Sequence, residues 1–473
     1  MRLPSKGTPL MKRPAHSHAR SPLHSFLQAY DQQEAARFHM PGHKGRGQAL
    51  QQAASYDITE IPGADNLLAP SGLLQRAQEE TAHFYGARQT FFCTGGATTA
   101  LLAAILSLPP QTLLFLPRDA HKSACAALAL SGHEVHWFVG PCQAARYDPP
   151  DSAALSQLFA QQTQRPRALL LTRPDYYGRC ADLAALSRLC DQEDVTLIVD
   201  EAHGAHFAFS PALPAHAVPY ADMVINSAHK TLDAPNQSAY LHLGQKTHSA
   251  TPNAERLARC LALLHTSSPS YPHLAALADA WRQQQVPWER HLQRLSDWKQ
   301  TLPDAWQQAL AQGQQGAHVS ATDPSRLCFD VSLLGWSPGA LAALWMEAGI
   351  VMEMYDARRI VGITTPLDDP RWYVRLRAAL PPPRPALSGR DTPPPPLPTP
   401  ALSVREASLR PSESLPLHRA AGRICAQSVG VYPPGSIVIA PGERFDDSVI
   451  GYIDEQQQAG ATLFGLPPLC VVE

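Results

Sequence analysis

From about residue 90, short apolar runs alternate with helix-like stretches, and this alternation limits the folds that the chain can adopt. Most stretches between the runs are rich in Ala, Leu and Gln at helical spacing, for example 153–162 and 183–190. Strands that alternate with helices are typical of βαβ units, which form an α/β fold with a mostly parallel sheet covered on both faces. The predicted strands are 112–116, 134–139, 168–172, 196–200, 223–226 and 238–243.

The length of 473 residues is enough for about three domains. Residues 381–400 contain ten prolines, which forbid a helix and favour an extended linker. The regions we predict are a flexible basic leader at 1–24, a major domain at 25–284, a small α/β subdomain at 285–380, the linker at 381–400 and a C-terminal α/β domain at 401–473. In the subdomain we predict strands at 325–331 and 350–354. In the C-terminal domain we predict helices at 415–425 and 446–458 around a strand at 436–440.

Composition excludes several classes of protein. The formal net charge of −2 does not favour a polyanion binder, because nucleic-acid affinity depends on clustered basic charge. The nine cysteines include no C-x-x-C pair, which favours reduced thiols over a disulfide framework. No apolar run approaches the ~20 residues that cross a bilayer, and the basic leader lacks the apolar region of a secretory signal. We therefore expect a cytoplasmic protein.

Ionisable residues follow several of the predicted strands. Asp200 ends one apolar run, and Lys230 follows the next run 30 residues later, an interval that fits one helix and two turns. Active sites of α/β folds lie at the carboxyl ends of the strands, so we expect both side chains to face one cavity. The segments that carry these residues are TGGATT (94–99), RDAHKS (118–123), LIVDEAHGAH (197–206) and MVINSAHK (223–230).

These residue types fit the chemistry of pyridoxal 5′-phosphate (PLP). Lys230 would form a Schiff base with PLP, and burial would lower its pKa so that the amine can be neutral. Asp200 would keep the pyridine nitrogen protonated, and His121 would stack on the ring. The small residues that open the helix after Thr94, together with the hydroxyls of Thr98 and Ser227, would hold the phosphate.

A metal site is the alternative interpretation of the DEAHGAH segment. His203 and His206 are three residues apart, whereas the helical H-E-x-x-H zinc pair has a spacing of four. The segment also follows a strand instead of lying within a helix. We therefore expect no metal.

Several motifs together resemble the Orn/Lys/Arg decarboxylase family, which has the aspartate-aminotransferase fold of PLP enzymes (fold type I). The resemblance extends over about 20–380 and 401–470. The motifs are FHMPGHKG (38–45), DITE (57–60), ATT (97–99), HKS (121–123), DEAHGAH (200–206), SAHK (227–230), SPSY (268–271), YPPG (432–435) and APGE (440–443).

The resemblance implies a role for each matching residue. Lys230 is the Schiff-base lysine, Asp200 the partner of the pyridine nitrogen and His121 the ring-stacking residue. Thr98, Ser227 and the backbone of Ala97 match the phosphate binders. His203 and His229 lie behind them, and His229 is an alternative to Lys230 as proton donor. Glu353 lies near an acidic position that meets the substrate's amino end.

The resemblance also implies a homodimer, or a higher homo-oligomer, with the cofactor at the interface. Segments 38–45 and 266–271 are candidates to meet a neighbouring subunit. Only 37 residues precede the FHMPGHKG motif, as in short biosynthetic forms. We therefore expect decarboxylation of a basic amino acid in polyamine biosynthesis, arginine to agmatine before lysine or ornithine. Two alternatives are another fold-type I reaction, such as transamination or aldol cleavage, and a catalytically silent regulatory homologue.

Overall fold

The structure is a computed structural model. It describes residue 32 and residues 35–46, 53–143, 146–282, 285–385, 392–432, 435–458, 461–466 and 469–472. The predicted leader at 1–24 lies outside these residues.

The centre of the molecule is a seven-stranded sheet. Six strands are mutually parallel, and Ala239–Leu243 runs antiparallel to both of its neighbours. Central strands such as Val195–Asp200 are buried along their whole length, which explains why they appear as continuous apolar runs. The order across the sheet is Gln89–Cys93, Ala239–Leu243, Met223–Asn226, Val195–Asp200, Arg167–Thr172, Leu113–Pro117 and Glu134–Phe138.

Helices cover both faces of this sheet, so that each face has its own apolar core. The mostly parallel α/β architecture is therefore confirmed, and the predicted strands agree with the observed ones within about a residue at each end. The strand Gln89–Cys93 was not predicted. The helices that belong to this region are Ala53–Tyr56, Leu73–Tyr85, Gly96–Leu106, Ser123–Ser131, Ser152–Ala160, Leu183–Glu193, Ala228–Thr231, Ala254–Leu264 and Tyr271–Asp279.

Another apolar core lies outside the central sheet and is rich in tryptophan, including Trp306, Trp345 and Trp372. Its sheet has the order Arg326–Asp330, Arg359–Ile363 and Met354–Tyr355. The strand Ala36–Phe38 pairs in parallel with Ile350–Met352. The helices around it are Gln285–Gln300, Asp304–Gly313, Pro338–Glu347 and Pro370–Ala378, with a 3-10 turn at Val331–Leu334 and short strands at Cys142–Gln143, Arg146–Tyr147, Arg179–Cys180 and Ala321–Thr322.

The described part of the proline-rich segment packs against this tryptophan-rich core. The indole N–H groups of Trp306 and Trp336 donate to the carbonyl oxygens of Pro381 and Pro382, at 3.2 and 3.1 Å. The described residues of 381–400 contain no helix, as ten prolines dictate.

The C-terminal region has its own apolar core around Val429, Ile439 and Val449. The predicted helix at 415–425 is wrong: Ser412–Leu415 is a strand, and only a 3-10 turn, Leu417–Arg419, follows. Pro416 cannot donate a helical hydrogen bond, and Gly422 has a φ of 75°. The other elements are the helices Val404–Leu409 and Asp447–Gln458 and the strands Val429–Tyr432, Ser436–Ile439, Thr462–Phe464 and Leu469–Val472.

Among the described residues, no helix has both the length and the apolar character that a bilayer span requires.

Candidate active site

Asp200 and Lys230 follow two adjacent parallel strands of the central sheet. Asp200 ends the strand Val195–Asp200, and Lys230 lies in the one-turn helix Ala228–Thr231 that follows Met223–Asn226. The expected α-helix between the two residues is absent from this fully described interval, where a 3-10 turn, Phe207–Phe209, takes its place. The two side chains nevertheless face one site because the carboxyl ends of parallel strands share one edge of the sheet.

The amine of Lys230 contacts the ring of His203, with 2.9 Å between Nζ and Nε2. Burial lowers the pKa of Lys230 to about 8, an effect that Arg326 strengthens and that Asp200 and Glu353 oppose. A substantial fraction of this amine is therefore neutral near pH 8, as a nucleophilic lysine requires.

Arg326 reaches the same histidine from the three-stranded sheet of the tryptophan-rich core. It begins the strand Arg326–Asp330, and its Nη2 lies 3.1 Å from His203 Nδ1 and 3.3 Å from the His203 carbonyl oxygen. Burial, followed by Lys230 and Arg326, lowers the pKa of His203 well below its usual value. No local sequence pattern indicates Arg326, because it lies 123 residues beyond His203, in a different sheet.

His121 lies at the same edge of the central sheet, in the turn between the strand Leu113–Pro117 and the helix Ser123–Ser131. Its Nδ1 accepts from the backbone N–H of Ser123 at 3.2 Å and lies 2.7 Å from the Ser123 hydroxyl. Burial lowers the pKa of His121, and Asp200 acts in the opposite direction. His121, Asp200 and Lys230 therefore lie close enough to interact electrostatically.

The helix Gly96–Leu106 offers a site for the phosphate of PLP. It begins with glycine, and its cap residue Gly95 provides no side-chain acceptor for the first N–H groups. Ala97 is half-buried in its first turn and Thr98 is exposed. Ser227 is buried at the same edge of the sheet, and its hydroxyl has no hydrogen-bond partner in the described part of the chain. Free N–H groups and an unpaired buried hydroxyl fit a bound phosphate.

Glu353 closes the site from the segment between the strands Ile350–Met352 and Met354–Tyr355. Its two carboxylate oxygens accept from the hydroxyl of Tyr176, at 2.6 Å, and from the backbone N–H of Met40, at 2.8 Å. The Tyr176 ring centroid lies 4.7 Å from that of His203. Sequence reasoning missed Tyr176, whose position in a loop after a strand was the one available signal.

His229 makes its ring hydrogen bond away from this cluster. Its Nδ1–H donates to the carbonyl oxygen of Ser238 at 3.0 Å, and burial lowers its pKa to about 4. The His229 carbonyl accepts from the backbone N–H of Gly42 at 2.7 Å. Segment 38–45, which we expected to meet a neighbouring subunit, thus contacts the Lys230 helix of its own chain.

The two histidines that we considered as metal ligands have different partners. His206 lies 3.2 Å from Asp323 and stacks on Trp288, whereas His203 contacts Lys230 and Arg326. Within the described ranges, no group of three or more His, Cys, Asp or Glu side chains is arranged to hold a metal ion.

A cavity of about 380 Å³ has Glu353 in its wall. Asp356 and Tyr177 also line it, and Tyr432 and Tyr452 line it from the C-terminal region. A volume of this size accommodates a small organic molecule.

Comparisons with known proteins define the class first. The constitutive lysine decarboxylase of E. coli superposes with a TM-score of 0.72 at 18% identity, over 95% of this chain and 81% of that one. The lysine decarboxylase of Francisella novicida gives 0.73 at 16% identity, over 88% and 74%. The fold is therefore that of the fold-type I PLP enzymes.

Sequence similarity defines the family. The model of the Orn/Lys/Arg decarboxylase major domain matches residues 21–328, and that of the family's C-terminal domain matches 390–468. The arginine decarboxylase of Bacillus subtilis is 30% identical over 95% of this chain and 96% of its own length. This chain belongs to the Orn/Lys/Arg decarboxylase family, and it is a PLP-dependent decarboxylase.

Proposed function

We propose that this protein decarboxylates arginine to agmatine, as a cytoplasmic homodimer that serves polyamine biosynthesis. The observation that carries the proposal is the contact of the largely buried Lys230 amine with His203, beside Asp200. Relatives named arginine decarboxylase match nearly the whole chain, including that of Halalkalibacterium halodurans at 31% identity over 94% of it. They support arginine as the substrate.

Each residue near Lys230 has a role in this proposal. Lys230 would supply the amine that attaches PLP, Asp200 would hold the pyridine nitrogen protonated and His121 would stack on the ring. Ser227, Thr98 and the backbone of Ala97 would hold the phosphate, and His203 would support Lys230, which it contacts at 2.9 Å. PLP, when bound, supplies the electron sink for the bond to the departing carboxylate.

The proton that replaces CO2 comes from Lys230 in our proposal. The Nδ1 proton of His229 is already donated to the Ser238 carbonyl, and the low pKa of its ring leaves the other nitrogen without a proton at neutral pH. The Lys230 amine contacts His203 Nε2 at 2.9 Å, and its pKa of about 8 lets it carry a proton at neutral pH.

Glu353 is the proposed recognition group for the substrate's guanidinium. Each of its oxygens accepts one hydrogen bond from Tyr176 or Met40, and a carboxylate has about four acceptor sites. The remaining sites can accept a bidentate guanidinium, which is a strong and directional pairing.

The test is a decarboxylation assay with PLP and arginine, lysine or ornithine, in which CO2 and the amine product are both measured. We expect agmatine to form fastest. Keto-acid formation without CO2 would instead indicate transamination, and a protein that takes up no PLP would support the silent regulatory alternative.

A substitution at Glu353 tests the recognition group. Glu353→Gln should raise KM for arginine more than it lowers kcat, because the neutral amide lacks the charge that attracts a guanidinium. The matched control is Glu347→Gln, an exposed residue of the helix Pro338–Glu347, which should leave both constants unchanged.

A further inference from the structure

Arg326, His203 and Lys230 form a short chain of polar contacts. Arg326 Nη2 lies 3.1 Å from His203 Nδ1, and His203 Nε2 lies 2.9 Å from Lys230 Nζ. Both Arg326 and His203 are buried, at 0% and 6% exposure, so water does not compete for the contact between them. The direction of each hydrogen bond therefore determines where the protons lie.

The guanidinium fixes the first direction. Arginine has five N–H donors and no acceptor, so Arg326 can only donate to the lone pair of His203 Nδ1. A neutral imidazole carries one proton, which must then lie on Nε2. The opposite tautomer would place two N–H groups against each other at 3.1 Å.

The second direction follows from the first. His203 Nε2–H points at Lys230 Nζ, and a nitrogen that accepts a hydrogen bond needs a free lone pair. An ammonium group has three donors and no lone pair, so only the neutral amine fits this contact. The charged and titratable groups that interact with Lys230 are Asp200, Glu353, Arg326, His121, His203 and His229.

Arg326 is held in place from its own domain. Its Nε lies 3.7 Å from a carboxylate oxygen of Asp323, and its Nη2 also donates to the His203 carbonyl at 3.3 Å. Asp323 is itself fixed by His206 at 3.2 Å and by the hydroxyl of Ser325 at 2.6 Å. The ion pair with Asp323 and the His203 backbone carbonyl therefore place the guanidinium without help from the His203 ring.

We propose that Arg326 is a positioning residue that fixes His203 in the Nε2–H tautomer, so that His203 donates to a neutral Lys230 amine. Arg326 thereby keeps Lys230 in the form that attacks an aldehyde. The inference rests on the proposed role of Lys230, but it concerns the protein before PLP is attached.

The test measures the charge of Lys230 in the full-length protein after PLP has been removed. Acetic anhydride labels only neutral amines, and mass spectrometry of the Lys230 peptide against that of Lys246 gives the pH of half-labelling. We expect about pH 8 in the unaltered protein. Arg326→Gln should raise it by about one pH unit, and Arg326→Lys, which keeps a donor without an acceptor, should restore most of the difference.

A double-mutant cycle separates the tautomer from the charge of Arg326. In a His203→Phe background, Arg326→Gln should shift the half-labelling pH by less than about 0.3 units, because the ring nitrogens that carry the effect are gone. A full shift in that background would mean that the arginine acts by charge alone, and either that result or no shift in Arg326→Gln alone overturns the proposal.

A second measurement needs no change at Arg326, should its substitution prevent folding. In the PLP-free protein labelled with ¹⁵N-histidine, the His203 ring resonances are identified by their loss in His203→Gln. We expect the shifts of an Nε2–H tautomer, and an Nδ1–H pattern would contradict the proposal. Neither measurement depends on decarboxylation, so a negative CO2 assay would leave this result interpretable.

Discussion

At the scale of single residues, the site depends on how the charge of one lysine is controlled. Burial and Arg326 disfavour the ammonium form of Lys230, whereas Asp200 and Glu353 favour it. The result is a pKa of about 8, between that of a free lysine and that of a fully desolvated one. Such a group can attach an aldehyde as an amine and also return a proton.

Removal of the amine gives the most direct prediction. Lys230→Ala should abolish both the visible absorbance of bound PLP and turnover, because no other amine contacts His203 in the described residues. Absorbance spectra and CO2 release measure the two effects. The control is Lys246→Arg, because Lys246 pairs with Asp191 outside the site. This substitution should change neither the absorbance nor the turnover. A Lys230→Ala protein with full absorbance would contradict the assignment.

The pH dependence of PLP uptake follows from the same group. The folded pKa of Lys230 is about 8, so the reactive neutral amine becomes more abundant as pH rises through 8 and scarce as pH falls below it. The initial rate of PLP attachment to the PLP-free protein should therefore rise severalfold between pH 7 and pH 9. Stopped-flow absorbance measures this rate, and a rate that falls over this interval would refute the expectation.

At the scale of elements, the Lys230 helix is held by segment 38–45. Gly42 donates its N–H to the His229 carbonyl, and a Cβ on Gly42 would lie 2.8 Å from the Leu232 carbonyl oxygen. Thr365 also donates its hydroxyl to the Gly42 carbonyl, at 2.8 Å. The glycine is therefore needed for the close approach of two backbones.

Gly42→Ala should lower the free energy of unfolding by about 1–3 kcal/mol and weaken PLP binding, because the Lys230 helix must shift. Chemical denaturation and PLP titration measure the two effects. Gly451→Ala is the matched control: it lies in the helix Asp447–Gln458 with no atom within 4 Å of an added Cβ. That change should stabilise slightly, and equal effects at both glycines would argue against the contact.

The elements differ in how far the sequence predicted them. The central strands were predicted nearly to the residue, since burial on both faces makes each one a continuous apolar run. The helix predicted at 415–425 was wrong because Pro416 and Gly422 both interrupt helical structure. The structure of this segment depends instead on contacts with residues elsewhere in the C-terminal region. For example, the backbone N–H of Cys425 donates to the Glu443 carbonyl oxygen at 2.8 Å.

At the scale of the whole molecule, the C-terminal region is tied to the loop that carries His121. Arg118 and Glu443 form a fully buried ion pair, and the backbone N–H of Ile437 donates to the Arg118 carbonyl at 3.0 Å. The Arg118 guanidinium also lies 4.6 Å from the Trp137 ring centroid. The position of His121, three residues later, therefore depends on a domain more than 300 residues away in the chain.

Glu443→Gln should destabilise the protein by about 3–5 kcal/mol, because it leaves the buried charge of Arg118 without its partner. It should also weaken PLP binding through the His121 loop. The control is Glu413→Gln, whose pair with Arg423 is half-exposed and should cost less than about 1 kcal/mol. Chemical denaturation measures the free energy of unfolding of both variants. Similar losses would show that burial of the Arg118–Glu443 ion pair does not increase its contribution to stability.

The parallel sheet and the positions of Asp200, His121 and Lys230 after its strands could be predicted from the amino-acid sequence. These features depend on local apolar runs and on the polar residues directly after them. Arg326 and Tyr176 join this site only through the tertiary fold, whereas Glu353 was expected there from the family resemblance alone. Their neighbours in space are distant in sequence, and no local pattern records which tautomer or charge a buried contact imposes on its partner.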